Sequence, residues 1–353
     1  MSRNTLSKLM GYTLVVSVCG NTGASVAASR DWTNDPAVVQ LDTSEDIFAI
    51  GDPHGDRERL ADVLAAARLI DRAPIAPVEL KWAGGRSILV VTGDLIDKGS
   101  DSIGVITLLR TLQADAARQG GRVIVTMGNH EAEFLAKPLG KKTKEFSSEL
   151  GDSGLNPEDV ANCGGDIGRF LCALPIAARV NDWFFSHGGN TNNRSIPELS
   201  AAIEAGFARD GFATEELVGD NSILEARLNK KGPRGLPWFQ DGSASTNPKK
   251  LLTRYAVKLG VKHLVQGHQY NKVRFPDGKN RKEQNFYQRY GLLFLIDTGM
   301  SRGIDEDNES IGGALRITGA GSKQKAIVIC ADSKQKTLWS NKKAEREEQL
   351  CSE

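Results

Sequence analysis

Ile88-Leu89-Val90-Val91-Thr92-Gly93-Asp94-Leu95-Ile96-Asp97-Lys98-Gly99 is the stretch whose reading decides the fold. Its first four residues are a short, β-branched apolar run bounded by glycine, so the pattern predicts a buried strand running into a loop. Asp94 and Asp97 both sit on that loop. The same construction recurs outward in both directions. Ile47-Phe48-Ala49-Ile50 enters Gly51-Asp52-Pro53-His54-Gly55, and Val123-Ile124-Val125-Thr126 enters Gly128-Asn129-His130-Glu131. Trp183-Phe184-Phe185 enters Ser186-His187-Gly188-Gly189, and Leu264-Val265 enters Gly267-His268-Gln269. Open α/β sheets present ligands at the carboxyl ends of their strands. If these strands share a sheet, their acids, amides and imidazoles converge on one polar cluster. Four of the five histidines fall at such junctions, while His263 reads as structural.

Between the junctions, residues 57–70 and 102–119 carry helical periodicity, and the second stretch is stopped by Gly120-Gly121. Strand, helix, strand, helix, strand reads as βαβ units. Residues 82–91 read as a hairpin around Gly84-Gly85, and residues 133–165 as a polar insertion that forms either a cap or a surface excursion. Further helices are expected at 167–174, 196–207, 214–228 and 251–259. Strands are expected at 177–180, 183–185, 263–266, 292–296, 314–317 and 326–329. Residues 29–45 read as a polar lead-in, 46–335 as the main domain, and 336–353 as a charged tail, solvated over 342–353.

With 353 residues, 40% hydrophobic and 25% charged, the composition is that of an ordinary globular protein. A formal charge of +1 provides no electrostatic footprint for nucleic acid. The first 28 residues fit a secretory signal: Arg3 and Lys8 precede the apolar Leu14-Val15-Val16-Ser17-Val18-Cys19, and small residues follow. That stretch is short for a membrane span. The expected destination is the periplasm or the exterior, without stable membrane insertion once the signal is removed. Lipidation at Cys19 is a lesser alternative, because Val18 is bulky for the position before such a cysteine. Cys163, Cys172, Cys330 and Cys351 would then remain. In an oxidising compartment they could pair, for instance Cys163–Cys172 and Cys330–Cys351; buried free thiols are the other reading.

The ordered set GDPHG, GDLIDKG, GNHE, SHGG and GHQ closely resembles the calcineurin-like metallophosphoesterase superfamily. Leu174-Pro175-Ile176-Ala177-Ala178-Arg179-Val180 ahead of SHGG resembles its phosphoprotein phosphatase branch, in particular the Shewanella-like bacterial members. The resemblance implies an α/β (α+β) fold, a mixed β-sandwich flanked by helices, with a dimetal site at the strand ends. It implies that Asp52 and His54 bind one ion, that Asp94 bridges two, and that Asn129, His187 and His268 complete the second. It implies His130 as general acid with Asp97 holding its other ring nitrogen. Carboxylate, imidazole and amide ligands suit Mn, with Fe or Zn as alternatives. Two ions about 3.5–4 Å apart activate a water and clamp phosphoryl oxygens, while a carboxylate-held histidine protonates the leaving alkoxide.

Two departures matter. Lys98 stands where the protein phosphatase pattern has Arg, and a lysine binds phosphate as a point charge without the bidentate fork. Phosphate recognition is therefore expected to draw on Arg302 first, then Arg194 or Arg234. Many phosphodiesterase relatives carry GHxH at the last motif; here Gln269-Tyr270-Asn271 follows His268, which favours monoesters. The expected function is dimetal-dependent hydrolysis of phosphomonoesters, foremost on phosphoprotein. The alternatives are a nucleotide or small-molecule phosphatase, a dinucleoside-polyphosphate hydrolase, or a metal-dependent binding module without turnover.

Overall fold

Every side chain of the 47–50 and 88–91 runs is buried, so these strands need apolar partners on both faces. The computed structural model supplies them, and it describes residues 30–71, 81–228, 247–275, 278–304, 309–341 and 348–352. In chain order, β1 (Val38–Leu41), β2 (Ile47–Ile50), α1 (Arg57–Ala66), β3 (Ile88–Val91), α2 (Ser102–Arg118) and β4 (Arg122–Val125) come first. A helical run follows: α3 (Asn129–Ala136), α4 (Lys144–Asp152), α5 (Pro157–Ala161) and α6 (Gly165–Ala173). β5 (Ala177–Val180) and β6 (Trp183–Ser186) precede α7 (Ile196–Asp210), α8 (Glu215–Val218) and α9 (Pro248–Leu259). β7 (His263–Gln266), β8 (Asn285–Arg289), β9 (Leu293–Leu295), β10 (Gly313–Thr318), β11 (Lys325–Cys330), β12 (Gln335–Ser340) and β13 (Glu348–Leu350) complete the order.

The strands form two mixed sheets, β1-β5-β6-β7-β9-β8-β13 and β12-β11-β10-β2-β3-β4. Alternation assigns their faces. Ile47, Ala49, Ile88, Val90 and Ile124 meet Ala178, Trp183, Phe185, Val265 and Phe294 between the sheets. Phe48, Ile50, Leu89 and Val91, and on the other side Phe184 and Leu264, join the helical layers. The result is the mixed β-sandwich flanked by helices that the sequence implied. β2, β3 and β4 are parallel and end level at Ile50, Val91 and Val125. β6, β7 and β9 are likewise parallel and end at Ser186, Gln266 and Leu295. Those level ends bring the motif loops of both sheets to one edge.

Several expectations need correcting. The 29–45 lead-in contains β1, which pairs with β5 from Val38↔Ala177 onward. The described part of the 336–353 tail is largely sheet: β12 pairs with β11, β13 pairs with β8, and Cys351 is bonded to Cys330. Its charges hid a strand that exposes Gln335, Lys336 and Thr337 while burying Leu338 and Trp339. β8 is fully buried yet lies among polar flanks, and it was missed for the same reason. The helix expected over 214–228 is only α8, because Gly219 and the Ser222 hydroxyl, which accepts from Leu224 and Glu225 N–H, turn the chain. The 82–91 hairpin reduces to an isolated Ile70↔Trp82 bridge ahead of β3. Residues 133–165 fold largely into α3, α4 and α5, and Cys163 is bonded to Cys172 in α6. Among the described residues, no helix is long and apolar enough to cross a membrane.

Candidate metal centre

At this edge β3 turns sharply. Gly93 has φ 92°, and a Cβ there would overlap the Gly128 backbone, so two bare residues let the GDLIDKG and GNHE loops touch. His54, Asp94, Asp97 and His268 all have positive φ, between 40° and 64°. Left-handed backbone at non-glycine residues costs about 1–3 kcal/mol each and is concentrated at functional sites.

Glu131 holds this geometry. Its buried carboxylate accepts from Asp94 N–H at 2.9 Å and Gly128 N–H at 2.7 Å on one oxygen, and from Leu95 N–H at 2.8 Å and Ile96 N–H at 3.2 Å on the other. One side chain thereby ties the loop carrying Asp94 and Asp97 to the helix start carrying Asn129 and His130. Burial and the neighbouring Asp94 push its pKa up to about 7.

Two groups of potential ligands share Asp94: His54, Asp94 and His130, and Asp94, His187 and His268. Asp94 Oδ2 lies 3.4 Å from His54 Nε2, and Oδ1 lies 3.3 Å from His187 Nε2. Backbone carbonyls set each tautomer. His54 Nδ1–H donates to Ile96 O at 3.1 Å, His187 Nδ1–H to Thr92 O at 2.8 Å, and His268 Nε2–H to Glu225 O at 3.1 Å. The opposite nitrogens are then lone pairs. His187 Nε2 and His268 Nδ1 face each other at 2.9 Å, with Asn129 Oδ1 only 3.0 Å from His187 Nε2. Such crowding of nitrogens and an amide oxygen needs a positive charge among them, supplied by a bound cation or by the proton that Asp94 draws onto His187.

Asp52 gives the same indication. Its Oδ2 accepts from His268 N–H at 2.7 Å, while the buried Oδ1 has no hydrogen-bond partner among the described residues. Burial, with Asp297 and Asp94 nearby, raises its pKa well above the usual carboxylate range. Burial also opposes ionisation of Asp94, but His187 and His130, whose protonation Asp94 in turn favours, outweigh it and hold Asp94 well below that range. Burial pulls His54 down to about 4, so its ring is neutral and free to ligate. The donor set therefore fits divalent ions.

His130 stands apart. Its Nδ1 is 2.8 Å from Asp97 Oδ2, its ring packs edge-on against His54 at 4.9 Å, and its Nε2 lies 3.9 Å from Asp94 Oδ2. Burial opposes its protonation, yet Asp94 and Asp97 prevail and push it up to about 9. Such a group is a proton donor at neutral pH.

The family profile described as calcineurin-like phosphoesterase matches residues 46–272. The chain belongs to that family. It is accordingly a phosphatase-type hydrolase, of a family that works with divalent metal ions. It is 33% identical over 321 residues to Shewanella-like protein phosphatase 2 of Arabidopsis thaliana, covering 76% of this chain and 75% of that one. An uncharacterised protein of Schizosaccharomyces pombe is 41% identical over 267 residues, with 72% of this chain and 73% of its own covered. Among solved structures, a cold-active protein tyrosine phosphatase shares the fold, with a TM-score of 0.63 at 19% identity over 86% of this chain and 82% of that one.

The expected phosphate-binding cations separate. Lys98 and Arg302 line one open groove of about 490 Å³ together with Arg57. Arg302 Nη1 there pairs with Glu58 at 3.0 Å and Asp56 at 3.7 Å. Arg194 gives both guanidinium nitrogens to Glu216, at 2.5 and 3.0 Å. Arg234 lies outside the described residues. Sequence reasoning overlooked Arg227, whose Nη1–H donates to His268 O at 2.7 Å. It also overlooked Arg281, fully buried, which donates to the carbonyls of Gln269, Asn285 and Asp297. No motif announces either one, because their partners are backbone carbonyls. His263, read as structural, stacks on Trp183 at 4.0 Å and donates from Nδ1 to Gly291 O at 2.6 Å.

Proposed function

We propose that the chain hydrolyses phosphomonoesters carried on protein side chains, using two divalent ions, with Mn preferred and Fe or Zn as substitutes. Asp52, His54 and Asp94 would hold one ion; Asp94, Asn129, His187 and His268 would hold the other. The bound ions supply Lewis acidity, which activates water and offsets phosphoryl charge. His130 donates a proton from Nε2 to the leaving oxygen, and Asp97 keeps the ring aimed and charged. Arg227, bonded to the main chain of His268, and Lys98, at the end of its loop, bind the phosphoryl oxygens.

The observation carrying this reading is the His130–Asp97 pair at 2.8 Å beside two ligand groups that share Asp94. A pure binding module has no use for an oriented acid. Preference for monoesters is supported by Tyr270, which stands where diesterase relatives have a second histidine, and by Gln269, whose Oε1 accepts from Leu228 N–H at 3.0 Å. Phosphoprotein as substrate is supported by the Arabidopsis relative named a protein phosphatase. Export to the periplasm or beyond is supported by the N-terminal secretory pattern, outside the described residues, and by the Cys163–Cys172 and Cys330–Cys351 bonds.

The test is turnover of an aryl phosphomonoester against the matching diester, with metal-stripped and Mn-reloaded protein, wild type beside Asp94→Asn. Monoesterase activity requiring both Mn and Asp94 is expected. Preference for the diester would refute the assignment, as would inactivity with two ions bound.

A further inference from the structure

The carboxylate that orients His130 is gripped from its far side by a helix absent from the motif set. Asp97 Oδ2 faces His130 Nδ1, and Asp97 Oδ1 accepts from the Phe146 backbone N–H at 3.0 Å. Phe146 lies in the first turn of α4, where backbone N–H groups lack partners within their own helix. Thr143 precedes that turn but does not cap it; its hydroxyl is turned away to the carbonyls of residues 137, 138 and 140. The capping position of α4 is thus filled in trans by Asp97, from 49 residues earlier.

The arrangement is reciprocal. α2 follows the Asp97 loop, and its N-cap Asp101 takes one donor of the first turn, Gly104 N–H, while its other oxygen accepts from Arg57 Nε–H at 2.6 Å. The other exposed donors of that turn, Ser102 N–H and Ile103 N–H, are taken by Glu149 of α4 at 3.1 and 2.8 Å. Glu145 of α4 accepts from Lys98 N–H at 2.8 Å. α4 therefore caps α2, the loop leading into α2 caps α4, and the strained Asp97-Lys98 backbone of that loop, at φ 63° and 68°, is held between the two helix starts. α4 also braces α3, which carries His130 in its first turn: Phe146 packs edge-on against Phe134 with ring centroids 4.8 Å apart.

We propose that α4 is the positioning element of the general acid, with Glu149 as the positioning residue that fixes α4 on α2 and so aims Asp97 and His130. This rests on the phosphomonoesterase reading above. Glu149 touches neither His130 nor the metal ligands, so its loss leaves the ligand set in place and degrades only the delivery of the proton.

Proton delivery has a kinetic signature. As the P–O bond breaks, a poor leaving group needs the His130 proton, whereas an activated aryl oxide departs without it. General acids contribute about 10²–10⁴ in rate. A mis-aimed one therefore shows on poor leaving groups and is silent on good ones.

The experiment uses the full mature chain loaded with Mn, as wild type, Glu149→Ala and Glu149→Gln. Bound metal, KM and kcat are measured on aryl phosphates from 4-nitrophenyl to phenyl. For Glu149→Ala the kcat ratio of nitrophenyl to phenyl ester is expected to rise about tenfold, part of the general-acid contribution. Metal content, KM and nitrophenyl turnover should stay near wild type. Glu149→Gln, which keeps one acceptor oxygen, should show a partial rise. An unchanged ratio overturns the proposal, whether both rates hold or fall together, because a merely structural strut would depress all substrates equally. Should Glu149→Ala lose its metals, the conservative Glu149→Gln reads the same ratio. Wild type inactive on every ester with two ions bound would fail the phosphomonoesterase reading itself, and the proposal with it.

Discussion

Replacing Glu131 by Gln changes one atom at the point where two active loops are joined. The carboxylate serves four backbone N–H donors, two on each oxygen. A glutamine in the same place keeps one acceptor oxygen and presents an NH2 to the other pair of donors. Two buried N–H groups are left without acceptors, at about 1–3 kcal/mol each, so the gross loss is about 2–6 kcal/mol. Part is returned, because burial and Asp94 disfavour the native carboxylate, whose pKa is pushed up to about 7. A net loss of about 2–4 kcal/mol is expected, a large share of the ~5–15 kcal/mol that holds a typical domain together. The assay is urea unfolding of metal-stripped protein, which separates the loop junction from any ion, followed by Mn titration of the same variant. Metal affinity should also fall, because Asp94 is carried on the released loop. An unfolding midpoint and a Mn affinity both equal to wild type would refute the argument that Glu131 organises this site.

Three further outcomes are expected. A Cβ on Gly267 would overlap Asp52 Oδ1 and Thr92 Oγ1, so Gly267→Ala should displace the candidate ligand Asp52 and lower the amount of metal bound, read by elemental analysis with activity alongside. Arg227→Ala should weaken inhibition by inorganic phosphate about tenfold or more, the scale of one lost charge-assisted contact, while Arg194→Ala, whose fork is spent on Glu216, should not. Burial holds the pKa of His263 below its ordinary value of 6.5, against the opposing pull of Gly291 O and Asp182. The unfolded chain then binds that proton more readily than the folded one. Stability from this group is complete above about pH 6.5 and declines as pH falls below it, a slope that His263→Gln should flatten in thermal midpoints taken across that range.

The convergence of the candidate ligands was legible because each is a polar residue immediately after a buried strand. Asp52, His54, Asp94, Asn129, His187 and His268 all meet where the level ends of β2, β3, β4, β6 and β7 bring them. What supports them was not legible, for a shared reason. Glu131, Glu149, Arg227 and Arg281 work on backbone N–H or C=O groups, which every residue offers and no spacing betrays. The α4 contact to Asp97 is a main-chain donor as well, so only the fold could show it. Periodicity misled where turn chemistry overruled it, as at Ser222, and charge misled where half a strand faces water, as in β12.

The seven-stranded sheet has β1 at one edge and β13 at the other, the first and last strands of the described chain. Both borders of that layer are thus edge strands, each paired on one side alone within the sheet. Trimming the front bares β5, and trimming the back bares β8 and removes Cys351 from Cys330. Either cut would leave a row of unpaired main-chain groups on a strand with buried side chains, which is a template for strand addition between molecules. Loss of either strand should therefore raise self-association relative to the uncut chain.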